Sequence, residues 1–355
     1  MKEKIISIIF IFTLFSFSLA SLIIKDKDIS TYERRKLSSK ETLKEDFISN
    51  LDDYLTDQFP LRDLFISTNS TFDRYILGNN DSNDTYIKDG FIIDKNYPLD
   101  EKNVNGFIEK INYVKENYLN DNRVFYSIIP DKAYFLNEKK YLKLDYTYLL
   151  NKLQKEINIP YIDIINLLTL DDYYKTDIHI KQDSYFKVIE KLSPYLEFAY
   201  QDLSYEEKIY NNFYGASYSK VPSFIKPDEL KYMSNDTINN TKAKHLEYGE
   251  KNIYDIEMLS SADAYNIFLS GPSSIIEIEN SSIDNNKELI IFRDSFASSM
   301  TPLLIPYYKK ITLIDLRYIN MNYVTNYIDF TNQDILFLYS TLIVNDSILL
   351  KVNPK

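Results

Sequence analysis

Apolar positions along the chain follow three different rhythms. The first is an unbroken uncharged run from Ile5 to Ile24, preceded by Lys2 and Lys4 and closed by Lys25, Asp26 and Lys27. About 20 such residues suffice to cross the hydrocarbon core of a bilayer. Ser18-Leu19-Ala20 offers small residues for cleavage, but Leu22-Ile23-Ile24 continue past it, which favours an uncleaved signal anchor over a cleaved signal peptide. The basic flank predicts that the remainder lies outside the cytoplasm, anchored to the cell membrane, or secreted if the segment is removed.

From about Lys25 to Leu99 the pattern is mixed. A helical patch, Phe47-Ile48-Leu51-Tyr54-Leu55, precedes a turn or helix start at Asp57 to Arg62, and Tyr86 to Ile93 reads as a β-hairpin turning at Asp89-Gly90. From about Glu101 the rhythm changes again. Val104, Phe107, Ile108, Ile111 and Val114 recur at helical spacing, and Val124 to Ile129 then reads as a buried strand. Further strands are expected at Tyr161 to Ile164, Ser274 to Ile278, Leu289 to Phe292, Ile311 to Ile314 and Ile335 to Tyr339. Strands alternating with helices predict a three-layer α/β fold with a mainly parallel sheet. The expected divisions are an anchor or signal over 1–24, an N-terminal extension over 25–99, and the α/β domain over 100–355. A weakly periodic insertion, rich in Asn, Lys, Ser and Tyr, is expected over the sheet at about 204–254.

Composition narrows the function classes. With 355 residues, 45% of them hydrophobic, the chain can bury a sizeable core, and a net charge of -11 leaves no general basic surface for phosphates. Nucleic acid is not an expected partner. The absence of cysteine removes disulfides, thiolate metal sites and cysteine nucleophiles.

Candidate chemistry begins at Leu289-Ile290-Ile291-Phe292-Arg293-Asp294-Ser295-Phe296-Ala297, where an apolar strand runs into Asp-Ser and a helix-compatible segment. A serine at a strand-to-helix turn stands above the sheet edge among free helix N-terminal N–H groups, which suit a developing oxyanion. The plainer alternative is that Ser295 or Asp294 caps the helix. A serine needs a base, and the chain has two histidines. His245 lies in the Lys-rich insertion and reads most simply as a solvated surface residue. His179 lies in Thr176-Asp177-Ile178-His179-Ile180, ahead of a helix expected from about Asp183. Asp177 is close enough to orient its ring, leaving the other nitrogen for Ser295, the division of labour in a Ser-His-Asp triad. A loop salt bridge or a metal ligand pair would use the same two residues, although no third His or Cys completes a usual transition-metal site. Lys132, after the strand ending at Ile129, could hold an anionic or carbonyl group or be a solvated helix start. No cofactor is expected.

Taken in order, Thr176-Asp177-Ile178-His179, Arg293-Asp294-Ser295-Phe296-Ala297, Pro302-Leu303-Leu304 with Tyr307-Tyr308, and Asp315-Leu316-Arg317-Tyr318 resemble the DHHW family of bacterial surface proteins, relatives of the alginate O-acetyltransferases of the AlgJ/AlgX type. Asp57 to Arg62, Pro130-Asp131-Lys132 and Gly215-Ala216-Ser217-Tyr218 sit where that family has comparable segments. The resemblance implies an SGNH-hydrolase-like domain outside the membrane that acetylates an exopolysaccharide, with a membrane-bound O-acyltransferase as the partner that delivers the acetyl group. It implies Ser295 as nucleophile, His179 as general base and acid, and Asp177 as the orienting carboxylate. Lys132, Arg293 and Gly271 are the weaker candidates, for substrate binding.

The chain departs from the family pattern in two places. Ile178 and Ile180 flank a single His179 where the family name implies His-His-Trp, and Leu269-Ser270-Gly271-Pro272 stands where relatives often have Gly-Gly-Asn. Loss of one oxyanion donor can cost about a hundredfold in rate. An acetylesterase with the same three residues, or a non-catalytic polysaccharide-assembly or binding component, are the competing readings.

Overall fold

The computed structural model describes residues 2–30, 33–76 and 83–354. Among them thirteen strands follow in chain order: β1 (Ile29–Ser30), β2 (Arg35–Lys36), β3 (Thr85–Lys88), β4 (Phe91–Asp94), β5 (Arg123–Ile129), β6 (Glu206–Phe213), β7 (Asp228–Ser234), β8 (Lys242–His245), β9 (Gly249–Asn252), β10 (Ile275–Glu279), β11 (Glu288–Arg293), β12 (Lys310–Ile314) and β13 (Asp334–Ser340). Seven form the main sheet in the order β5-β13-β11-β12-β10-β8-β9. Its first four members are mutually parallel, and the remaining three continue it antiparallel.

The parallel part is built from strands that are apolar on both faces, as a sheet covered twice requires. Leu289, Ile291, Ile311, Leu313, Leu336 and Leu338 enter one core. Their neighbours Ile290, Phe292, Ile314, Ile335, Phe337 and Tyr339 enter the other. The second core is closed by the helix Glu101–Tyr118, which buries Val104, Phe107, Ile108, Ile111 and Val114 at the spacing read from the sequence. Each such side chain contributes about 1.5–3 kcal/mol. The helices Phe186–Leu192 and Ala297–Leu304 cover the first core. The fold is therefore α/β in three layers.

Several expectations change on contact with the structure. Tyr161 to Ile164 is no full strand: Tyr161 forms a single parallel bridge to Tyr126, and Asp163 then accepts the Ile165 N–H and turns the chain into a short helical turn. The helix expected from about Asp183 begins at Phe186, after a turn over Gln182–Tyr185. The stretch 204–254 does more than lie over the sheet, because β8 pairs with β10 and β9 with β8, extending its edge. His245 is consequently not a solvated surface residue. It lies opposite Ile276 and is 2% exposed, and burial lowers the pKa of its ring.

The hairpin of β3 and β4 turns at Asp89-Gly90, both with positive φ. Ahead of it lie the helices Phe47–Asp57 and Arg62–Tyr75. The N-terminal helix Lys2–Ile23 is long and apolar enough to cross a membrane.

Candidate active site

The serine lies two residues beyond the end of β11. Parallel neighbours β12 and β13 flank that strand on both sides, so Ser295 follows the carboxyl end of a central parallel strand, the end at which α/β sheets bind ligands. Beyond Arg293, one carboxylate oxygen of Asp294 accepts the Phe296 N–H at 3.0 Å and the other accepts the Ser340 N–H at 2.8 Å. Asp294 thereby shapes the turn and ties it to the end of β13. Neither Asp294 nor Ser295 caps the helix, whose N-cap is Phe296 with no side-chain cap bond, so the hydroxyl of Ser295 is free for other work.

That hydroxyl donates to Nε2 of His179 at 2.8 Å. On the other side of the ring, Nδ1 donates to a carboxylate oxygen of Asp177 at 2.5 Å. An ionised carboxylate only accepts hydrogen bonds, so this contact assigns the tautomer and leaves Nε2 as the acceptor facing the serine. Ser295 and His179 lie 116 positions apart in the chain. Two aromatic rings hold the imidazole: Tyr265 stacks on it at 3.7 Å between centroids and 6° between planes, and Phe296 packs against it, tilted by 56°, at 4.9 Å. The Tyr265 hydroxyl donates to Ser299 Oγ on the helix that follows Ser295, which fixes the stacking ring to the same scaffold.

The Asp177 carboxylate is buried, and it accepts two further N–H bonds, from His179 at 2.9 Å and Ala216 at 2.6 Å. Burial alone would push its carboxyl up. The charge and hydrogen bond of His179 and the two amides outweigh that effect and hold it well below the usual carboxylate range. Gly215 completes the cradle, for a Cβ there would collide with Cβ, Cγ and Oδ2 of Asp177.

The loop bearing Asp177 and His179 is closed by the Tyr173 to Ile180 bridge and clamped by Asp228 of β7. Asp228 accepts the N–H groups of Lys175 and Thr176 and the Thr176 hydroxyl, at 2.8, 2.7 and 2.6 Å. The 204–254 stretch thus supplies Asp228, Gly215 and Ala216 to the support of this carboxylate.

The three weaker candidates have other roles. Lys132 is buried and donates to the main-chain carbonyls of Ile92, Tyr174 and Lys175, fastening the β3–β4 hairpin to the Asp177 loop instead of facing a ligand. Arg293 is 1% exposed, so substrate cannot reach it. Its guanidinium binds the Asp294 carbonyl and Ser298 Oγ and lies 3.7 Å from Asp315. Gly271 has a φ of +93° and donates its N–H to Phe268 at 3.3 Å, so the turn consumes the amide that an oxyanion would need. The Ser295 N–H, by contrast, has no partner among the described residues and sits at the start of the Ala297–Leu304 helix.

Burial pushes the Lys132 amine down to about 8. Between that value and the free-lysine value of about 10.4, the unfolded chain holds the proton and the folded one does not, so stability contributed by this group rises with pH. Lys132→Met takes its donor from the Ile92 and Tyr174 carbonyls, while the Lys175 carbonyl keeps the Ile92 N–H, and the change is expected to cost about 1–3 kcal/mol. In urea unfolding the deficit of Lys132→Met relative to the native chain should be larger at pH 9.5 than at pH 7. An equal deficit at both would assign the loss to packing alone.

No family model matches the sequence, and no curated relative matches it. Solved structures do. The chain shares its fold with a DHHW family protein. That structure, from Eubacterium siraeum, superposes with a TM-score of 0.59 at 20% identity, covering 74% of this chain and 92% of that one. PatB1 of Bacillus cereus, solved with a sulfonyl adduct, gives 0.59 at 17% identity over 76% of this chain and all of that one. PatB1 without the adduct gives 0.59 over 75% and 97%. The O-acetyltransferase domain of Pseudomonas putida AlgJ lies further off, with a TM-score of 0.42 at 10% identity, covering 74% of this chain and 92% of that one.

Proposed function

We propose that this chain is an extracytoplasmic O-acyltransferase of SGNH-hydrolase-like architecture, held at the membrane by its N-terminal helix, that moves acetyl groups onto a cell-surface or exopolysaccharide. The observation that carries the reading is the continuous run of hydrogen bonds from the Asp177 carboxylate through His179 to Ser295, at 2.5 and 2.8 Å, with the imidazole packed against two aromatic rings. Such an arrangement serves acyl transfer.

In the first half-reaction Ser295 Oγ attacks the acetyl carbonyl while its proton passes to Nε2. The negative oxygen of the tetrahedral adduct lies toward the Ser295 N–H, and collapse expels the donor's leaving group, which takes the proton back from Nε2. In the second, a sugar hydroxyl attacks the acetyl-serine and gives its proton to Nε2. Collapse then frees the acetylated sugar and returns the proton to Ser295. Asp177 keeps the ring oriented and offsets its positive charge in both halves. A membrane-bound O-acyltransferase is the proposed source of the acetyl group.

The test uses the full chain with an activated acetyl ester and a panel of oligosaccharides, read by mass spectrometry. Acetylated glycan that disappears in Ser295→Ala is expected. Acetate release without glycan acetylation would transfer the assignment to an acetylesterase. Failure of Ser295 to turn over ester or to be labelled by a sulfonyl fluoride, the reagent class suggested by the PatB1 adduct, would leave only a non-catalytic binding or assembly role.

A further inference from the structure

Two of the helices that follow the N-terminal segment, Phe47–Asp57 and Arg62–Tyr75, are amphipathic in the wrong sense for a water-soluble surface. In Arg62–Tyr75 and its flanks, Leu61, Phe65, Phe72 and Ile76 fall on one face, since spacings of four, seven and four residues keep side chains aligned on a helix. All four are at least half exposed, Ile76 by 68%. The opposite face carries Ser67 and Arg74, which are buried, and Arg74 donates to Thr85 Oγ1 at 2.6 Å in β3. Phe47–Asp57 repeats the inversion: Tyr54 and Asp57 turn inward, while Ile48, 90% exposed, and Leu55 turn out. A helix on water points its polar face outward.

The apolar faces are continuous with the N-terminal helix. The ring of Phe17 stacks on Phe59 at 5.4 Å and 7°, and lies 6.0 Å from Phe65. Phe17 is six residues before the end of the helix Lys2–Ile23, about 9 Å back along its axis at 1.5 Å per residue. Three charge pairs lie beside the patch, Arg35 with Asp57, Arg62 with Glu33 and Lys27 with Asp63. Asp52 and Asp53 are exposed on Phe47–Asp57, so that helix must keep these carboxylates at headgroup level.

We propose that the helices Phe47–Asp57 and Arg62–Tyr75 lie in the outer leaflet of the membrane, their apolar faces immersed at the headgroup and acyl boundary, as a collar around the exit of the N-terminal helix. Amphipathic helices reach about 5–10 Å into that boundary. The inference goes beyond acyl transfer and rests on Lys2–Ile23 spanning the bilayer. The collar does more than hold the chain at the surface. Arg35 pairs with Asp57 of the first helix, and its neighbour Arg34 pairs with Asp263, two residues ahead of the Tyr265 that stacks on His179, so the β1–β2 turn links the collar to the catalytic residues.

Because the chain has no cysteine, single labels are unambiguous. The full chain is reconstituted in phosphatidylcholine and phosphatidylglycerol vesicles with an environment-sensitive dye at Ile48→Cys or Phe72→Cys, at Phe12→Cys in the N-terminal helix, or at Tyr323→Cys on the α/β domain; all four positions are exposed, so the fold is not at stake. Nitroxide lipid should quench positions 12, 48 and 72 several-fold more than 323, while aqueous iodide should quench only 323. Lipid quenching at 12 with iodide quenching at 48 and 72 would overturn the collar and leave the span intact. Iodide quenching at 12 as well would remove the span and the collar together. Protection of 48 and 72 from both quenchers would mean that protein covers these faces, and would overturn the lipid assignment.

Discussion

Ser295→Ala is expected to lower kcat for acetyl transfer by about 10⁴- to 10⁶-fold, the range over which removing a serine nucleophile acts in enzymes that use this arrangement. The hydroxyl makes one side-chain hydrogen bond and is only partly buried, while the turn that holds it is shaped by Asp294, so the variant should unfold in urea within about 0.5 kcal/mol of the native chain. Because nucleophile and base act as a unit, adding His179→Ala to Ser295→Ala should cost little more than Ser295→Ala alone. Asp177→Asn should fall by about 10⁴-fold, since an amide can turn its N–H toward Nδ1 and select the wrong tautomer. Steady-state assays with an activated ester measure all three. A Ser295→Ala enzyme within tenfold of native activity would dispose of the acyl-enzyme.

Much of this site could be read from the sequence because its residue types are scarce. Only two histidines were available as a base, and one lay two positions from an aspartate. The strands were legible where both faces are buried, as at Leu289 to Phe292, since four consecutive apolar residues admit few alternatives. Legibility failed where polar residues are buried by partners far away in the chain. The burial of His245 comes from pairing with Ile276, yet Lys242-Ala243-Lys244-His245 alternates exposed and buried, and that two-residue period was a usable strand signal that the lysines obscured. Lys132 and Arg293 follow or end apolar strands, and their positions suggested a ligand. Their actual partners are carbonyls and carboxylates from loops that only the tertiary fold brings together. Tyr265 carried no signal at all, being one of 32 tyrosines. Asp228 was equally silent, because nothing local reveals that a carboxylate will clamp two amides 52 and 53 positions away.

Gly215 was the one supporting residue with a detectable mark, since the chain has only six glycines, and it supports the second large prediction. Its φ of -93° is open to any residue, so the demand for glycine comes from space: a methyl group would enter the volume of Asp177. The carboxylate cannot retreat without breaking its bonds to Ala216 and His179, and Gly215 itself is held through its N–H to Thr176 Oγ1 at 3.1 Å. Gly215→Ala is therefore expected to push the carboxylate away from Nδ1. Overpacking of this kind costs about 1–3 kcal/mol of stability, and a displacement of about 1 Å at a catalytic group can cost about 10²-fold in rate. Gly249→Ala is the matched control. Its φ of +72° makes alanine strained, but nothing lies within 4 Å of the added methyl, and the residue sits on the outer strand of the sheet. That variant should lose about 1 kcal/mol and keep its activity. Parallel urea unfolding and ester turnover separate the two: Gly215→Ala should lose far more rate than its stability accounts for, and Gly249→Ala should lose stability alone. Equal activity in both variants would mean that the Asp177 cradle does not govern the geometry of His179.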